Sequence, residues 1–119
     1  MKTFAENYND GLNGMVKFDL NKAFDAFSSA IEIKPNDAVA CGSRGIVKFN
    51  LGKYVEVIQD LDIAIEQEQN NCIYHMMRGI THFQLKQKAK AKADLENVIC
   101  LNPDAMILSD AKNLLTRLG

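Results

Sequence analysis

Tryptophan is absent from this 119-residue chain, and proline occurs only at Pro35 and Pro103. No low-complexity run accompanies the seven glycines, so disordered and fibrous classes are excluded. Cysteine is sparse: Cys41, Cys72 and Cys100 are odd in number, widely spaced and form no CxxC pair. That pattern does not build a disulfide scaffold, and it points to a reduced, intracellular chain. No apolar run reaches the roughly 18 residues of a membrane span, and the start, Met1-Lys2-Thr3-Phe4-Ala5-Glu6, has no signal-peptide core. The expected location is cytoplasmic, with no membrane span. An excess of either charge is also missing, because 14 basic and 15 acidic residues leave a net charge of −1. A broad positive field is therefore absent, which argues against nucleic acid and against a polybasic membrane anchor.

What the chain does have is self-similarity. A shift of 34 residues aligns Gly11 with Gly45 and Gly79, Phe27 with Leu61 and Leu95, and Ile31 with Ile65 and Ile99. Ala30, Ala64 and Val98 align likewise, and Pro35 and Pro103 lie two shifts apart. Between the second and third copies the identities are Arg44/Arg78, Gly45/Gly79, Ile46/Ile80, Phe49/Phe83, Leu51/Leu85, Asp60/Asp94, Leu61/Leu95 and Ile65/Ile99. Ungapped agreement on that scale marks a tandem repeat, with units at about 4–37, 38–71 and 72–105.

Each unit reads as two helices. Ala23, Phe27, Ala30 and Ile31 recur at helical spacing, as do Val57, Leu61, Ala64, Ile65 and Ala91, Leu95, Val98, Ile99. Thr3 with Glu6 forms a capping box, while Asp19, Asp37 and Asn71 stand at N-cap positions. The prolines close second helices. Helices are expected near 4–17, 20–33, 38–51, 54–68, 72–85 and 88–101. A seventh, near 104–118, carries Leu108, Ala111, Leu115 and Leu118 on one face and caps the array. The expected fold is all-α: one domain over 1–119, a solenoid of antiparallel helix pairs. Arg44 and Arg78 precede the repeat glycines, and Asp60 and Asp94 lie sixteen residues later, so ion pairs within units are expected. The first unit has Asp10 and Ala26 instead.

The period, the three glycines and the small-x3-large element (Ala23/Phe27, Val57/Leu61, Ala91/Leu95) resemble the tetratricopeptide repeat, TPR. The resemblance covers nearly the whole chain. It departs at the family's tryptophan slot, filled by Asn7, Cys41 and His75, and at its tyrosine slot, filled by Gly14, Lys48 and His82. Those slots imply partly buried, structural histidines rather than a metal site.

No nucleophile elbow, phosphate-binding glycine loop or HExxH is present, so neither an enzyme nor a cofactor or metal is expected. Lys86, Lys88, Lys90 and Lys92 cluster at the start of a second helix, where cations oppose the helix dipole. They read as a solvated surface, with an acidic partner as the alternative.

The resemblance implies a concave groove lined by the first helix of each unit. From the first unit it takes Tyr8, Asn9, Leu12 and Met15, and from the second Ser43, Ile46, Phe49 and Asn50. The third unit adds Ile73, Met76, Met77, Ile80, Phe83 and Gln84. None is lysine or arginine. Family members that clamp the acidic C-terminal tail of heat-shock chaperones place lysine, asparagine and arginine where this chain has Tyr8, Leu12, Ser43, Ile73 and Met77. The expectation is therefore a non-catalytic scaffold or adaptor that holds an apolar or amphipathic peptide and not that acidic tail. The alternative is a self-associating module, a homodimer formed through the groove or the capping helix.

Overall fold

The computed structural model describes all 119 residues and contains seven α-helices and no strand. They are α1 (Phe4–Val16), α2 (Leu20–Ile33), α3 (Ala38–Asn50), α4 (Tyr54–Gln67), α5 (Cys72–Gln84), α6 (Lys88–Cys100) and α7 (Ala105–Leu118). Every helix packs chiefly on its neighbours in sequence, which gives an elongated body of 49 × 25 × 23 Å. Such nearest-neighbour packing is what an α-solenoid requires.

The helix starts follow from side-chain chemistry. Thr3 and Glu6 form the full capping box, and Asp19, Asp37 and Asn71 each accept a backbone N–H of the following turn. Asp104, directly after Pro103, caps α7 in the same way. Lys53 and Gln87 precede α4 and α6 with no side-chain cap. Within each unit the turn passes through one residue of positive φ: Phe18 at 55°, Gly52 at 77° and Lys86 at 60°. Only the middle unit uses the residue that adopts this conformation without steric cost.

Apolar side chains at the repeat positions form three clusters along the axis. Ala23, Phe27 and Val47 make the first, with Tyr8 and Phe24 packed on it. Cys41, Val57, Leu61, Ala64 and Tyr74 are central to the second, where burial raises the Cys41 thiol and the Tyr74 phenol above their ordinary pKa values. Ala91, Leu95 and Val98 join Ala111 and Leu118 of α7 in the third, so α7 covers the open face of the last unit.

Both expected ion pairs are formed, and both are two-pronged. Arg44 donates from Nε and Nη2 to Asp60 at 2.9 and 2.8 Å, and Arg78 makes the same two bonds to Asp94. The carboxylates are buried, at 2% and 4% exposure. These are not the exposed pairs that contribute almost nothing, because removing either partner leaves a desolvated charge. Bonding to its aspartate raises the pKa of each guanidinium further above its ordinary value. Lys48 adds a second cation on Asp60 at 3.1 Å. Arg78 also reaches Asp62 of the preceding unit at 2.8 Å, so it ties the second unit to the third.

Candidate functional site

The first helices of the units, α1, α3 and α5, carry all fourteen groove residues expected from the sequence, and none of them is buried. They divide into two groups. Leu12, Ile46 and Ile73 are open, at 39%, 37% and 53% exposure, and the polar Asn9, Asn50 and Gln84 are exposed as well. The larger side chains are half-buried and engaged in the core. Tyr8 and Met15 pack on the first cluster, Phe49 and Met77 on the second, and Met76 and Phe83 on the third.

A cavity of about 250 Å³ opens between α3 and α5, lined by Ile46, Phe49, Val57, Met77, Ile80 and Thr81. Four of these are groove residues expected from the sequence. Val57 and Thr81 are additions, and both are themselves fully buried. Thr81 donates its hydroxyl to the Met77 carbonyl one turn earlier at 2.7 Å, which removes its polar group from the wall. Val57 belongs to a second helix, where core periodicity gives no sign that it also floors a cavity. Val39, at 47% exposure, is a further open apolar residue on α3. Its register was legible, since it lies 34 residues before Ile73.

The groove's polar groups are already partly committed. Tyr8 Oη and Ser43 Oγ lie 3.3 Å apart and link α1 to α3. The tilted contact of Tyr8 on Phe27, with ring centroids 5.5 Å apart, fixes the phenol there. Lys48 is no groove cation, because it is buried against Asp60 with its amine 5.9 Å from the Phe24 ring centroid. His75 and His82 are buried on the side of α5 that faces α6. His75 Nε2 lies 2.8 Å from the Gln69 carbonyl and His82 Nδ1 2.7 Å from Gln87 Oε1. Both sit near Asp94, at 3.9 and 3.8 Å, inside the frame that holds the third unit together.

No family model matches the chain. Human tetratricopeptide repeat protein 6 is 27% identical over 93 residues, which are 78% of this chain and 18% of that protein. The chain thus spans less than a fifth of the curated relatives it matches. Among solved structures, the first TPR of Spaghetti (RPAP3) bound to HSP90 peptide SRMEEVD superposes with a TM-score of 0.88 at 22% identity, covering 98% of this chain and 90% of that one. The TPR2B domain of yeast Sti1, in complex with pHsp70, also gives 0.88, at 20% identity over 97% and 94% of the two chains.

These likenesses overturn one expectation, the exclusion of an acidic chaperone tail. Two domains of the same fold are held with the acidic HSP90 peptide SRMEEVD, and a third is in complex with pHsp70. The exclusion rested on the cost of burying a carboxylate without a cation. That cost arises only if the carboxylate leaves water, and a groove as open as the one at Leu12, Ile46 and Ile73 does not demand it. The absence of lysine and arginine at Tyr8, Leu12, Ser43, Ile73 and Met77 therefore does not decide the charge of the partner. Seven helices, three glycine-bearing pairs at a 34-residue period and these superpositions lead to one conclusion: the chain has the tetratricopeptide-repeat fold, three repeats closed by a capping helix.

Proposed function

We propose that this chain is a non-catalytic protein-interaction module that holds a peptide along α1, α3 and α5, with an apolar side chain of the peptide seated in the cavity between α3 and α5. That cavity carries the reading. Its lining is apolar apart from Thr81, whose hydroxyl is turned to the Met77 carbonyl, it has room for one large aliphatic side chain, and Ile46 in its wall is open to solvent. Burying such a side chain contributes about 1.5–3 kcal/mol, enough to anchor a short segment while its charged groups remain hydrated. Amphipathic segments meet this requirement. So does an acidic tail that includes methionine or valine, as the peptide held by the Spaghetti (RPAP3) domain does.

Fluorescence anisotropy with labelled SRMEEVD and with an amphipathic helical peptide tests the reading. Ile80→Asp places a charge in the cavity wall and is expected to weaken the tighter of the two by about tenfold or more. The circular dichroism and thermal midpoint of the variant should stay close to those of the parent. Binding unaltered by Ile80→Asp in a folded variant would show that the cavity is not the anchor. Ile73→Lys supplies a cation at an open position of the third repeat and is expected to strengthen SRMEEVD binding selectively.

A further inference from the structure

The near-zero net charge hides a strong asymmetry. Residues 1–71, the first two units, hold 7 basic and 11 acidic side chains, a net of −4, and residues 72–119 hold 7 and 4, a net of +3. The positive end is concentrated in Lys86, Lys88, Lys90 and Lys92, all exposed, at the α5–α6 turn and the start of α6. None of these amines lies within salt-bridge distance of a carboxylate. Lys88 lies beside Gly119, the last residue of the chain, and the other three have no such neighbour. Asp94, the acid nearest in sequence, is sealed against Arg78 and faces inward.

Lys90 also borders a cleft of about 380 Å³ between α4 and α6, with Arg78, His82 and Asn97 in its wall. One carboxylate already docks there. Asp62, 57% exposed, reaches across from the second unit to Arg78 Nη1. Asp62 and Asp94 between them engage Nε, Nη1 and Nη2 of Arg78, so Lys90 is the cation of this cleft that has no carboxylate partner.

We infer that the four lysines around the α5–α6 turn and the first turns of α6, with Lys88 and Lys92 on one side of the helix and Lys90 on the side of the α4–α6 cleft, make a second interaction surface that takes an acidic polypeptide segment. Lys88 to Lys92 extend only about 6 Å along α6, with Lys86 in the turn just before it, which matches a few acidic residues in a row. A membrane or a duplex is a broad polyanion and would also face the acidic first two units, which repel it. Because this surface lies on the second helices, it is separate from the groove on α1, α3 and α5.

The test uses the full chain and a labelled, end-capped Glu–Ser peptide with no apolar residue, alongside phosphatidylserine vesicles and single-stranded DNA. The peptide is expected to bind, more weakly as salt rises, and Lys86→Gln with Lys90→Gln and Lys92→Gln should weaken it by about tenfold. The same triple variant should melt no lower than the parent, since it relieves cations at a helix start. Ile80→Asp should leave this peptide's binding unchanged. Undiminished binding in the triple variant would overturn the second surface, and loss of binding in Ile80→Asp would overturn it by placing the acidic peptide in the groove instead. Tighter lysine-dependent binding to the vesicles or to DNA would overturn the assignment of an acidic polypeptide.

Discussion

The first repeat and the two that follow hold their helix pairs together by different physics. In the second and third, a two-pronged arginine–aspartate pair bridges the first helix to the second, and Gly45 faces Leu61 with ordinary room, a Cβ there lying 3.7 Å away. The first repeat has Ala26 in place of the aspartate and Asp10 in place of the arginine. Its helices close directly instead. A Cβ on Gly11 would run into the Phe27 ring, and one on Gly14 would lie 2.9 Å from the Ala23 backbone nitrogen. Behind the Arg44–Asp60 bridge the glycine is nearly optional, in the third repeat a Cβ on Gly79 would sit tightly, 3.3 Å from Asp94 and Leu95, and in the first, where the charges are absent, two glycines give close apolar contact instead. The same small residue thus has different weight at equivalent positions of one repeat.

The largest effect is expected from breaking the electrostatic side of this comparison. Asp60→Ala leaves the buried Lys48 and the half-buried Arg44 without a counter-charge and should cost about 3–5 kcal/mol in denaturant unfolding. The glycine side comes next. Gly14→Ala forces α1 away from the α2 backbone and should cost about 1–3 kcal/mol, whereas Gly45→Ala should stabilise by up to about 1 kcal/mol through helix propensity alone. Equal effects at Gly14 and Gly45 would abolish the distinction between the repeats. A smaller difference should appear in hydrogen exchange. With two interior glycines and no ion-pair lock, α1 is expected to exchange faster than α5, and uniform protection would count against that.

The smallest effect is a pH dependence confined to α1. The Thr3 backbone N–H, bonded to Glu6 at 2.9 Å, holds the Glu6 carboxyl below its ordinary 4.5. A depressed carboxylate stabilises the folded state above the unfolded pKa, and that contribution is lost as pH falls through the folded value. The difference in thermal midpoint between the parent and Glu6→Ala should accordingly be present at pH 7 and shrink below about pH 4.

The helices were legible in the sequence because each reports itself locally. Caps at Thr3, Asp19, Asp37 and Asn71 and apolar spacing along Val57, Leu61 and Ala64 are short-range signals, and the helix ends fall within a residue or so of where those signals place them. Arg44–Asp60 and Arg78–Asp94 were legible for a different reason: the repeat supplied an internal comparison in which both partners are present or both missing. The α3–α5 cavity was only half legible. Ile46, Phe49, Met77 and Ile80 follow from register, but Val57 and Thr81 are core positions by every local measure.

Amino-acid order alone therefore determined the period, the helix pairs, their caps and the polar bridges, since each depends on spacings along one chain or on recurrence of a spacing. Tertiary structure decided how close the helices stand and what is left between them. It set the glycine contacts of the first repeat, the depth to which Asp60 and Asp94 are buried, the cavity behind Ile46 and Ile80, and the cleft that joins Lys90 to Arg78. Those features depend on interaxial distance, which is the sum of many side-chain volumes from different units and is written in no single stretch of sequence.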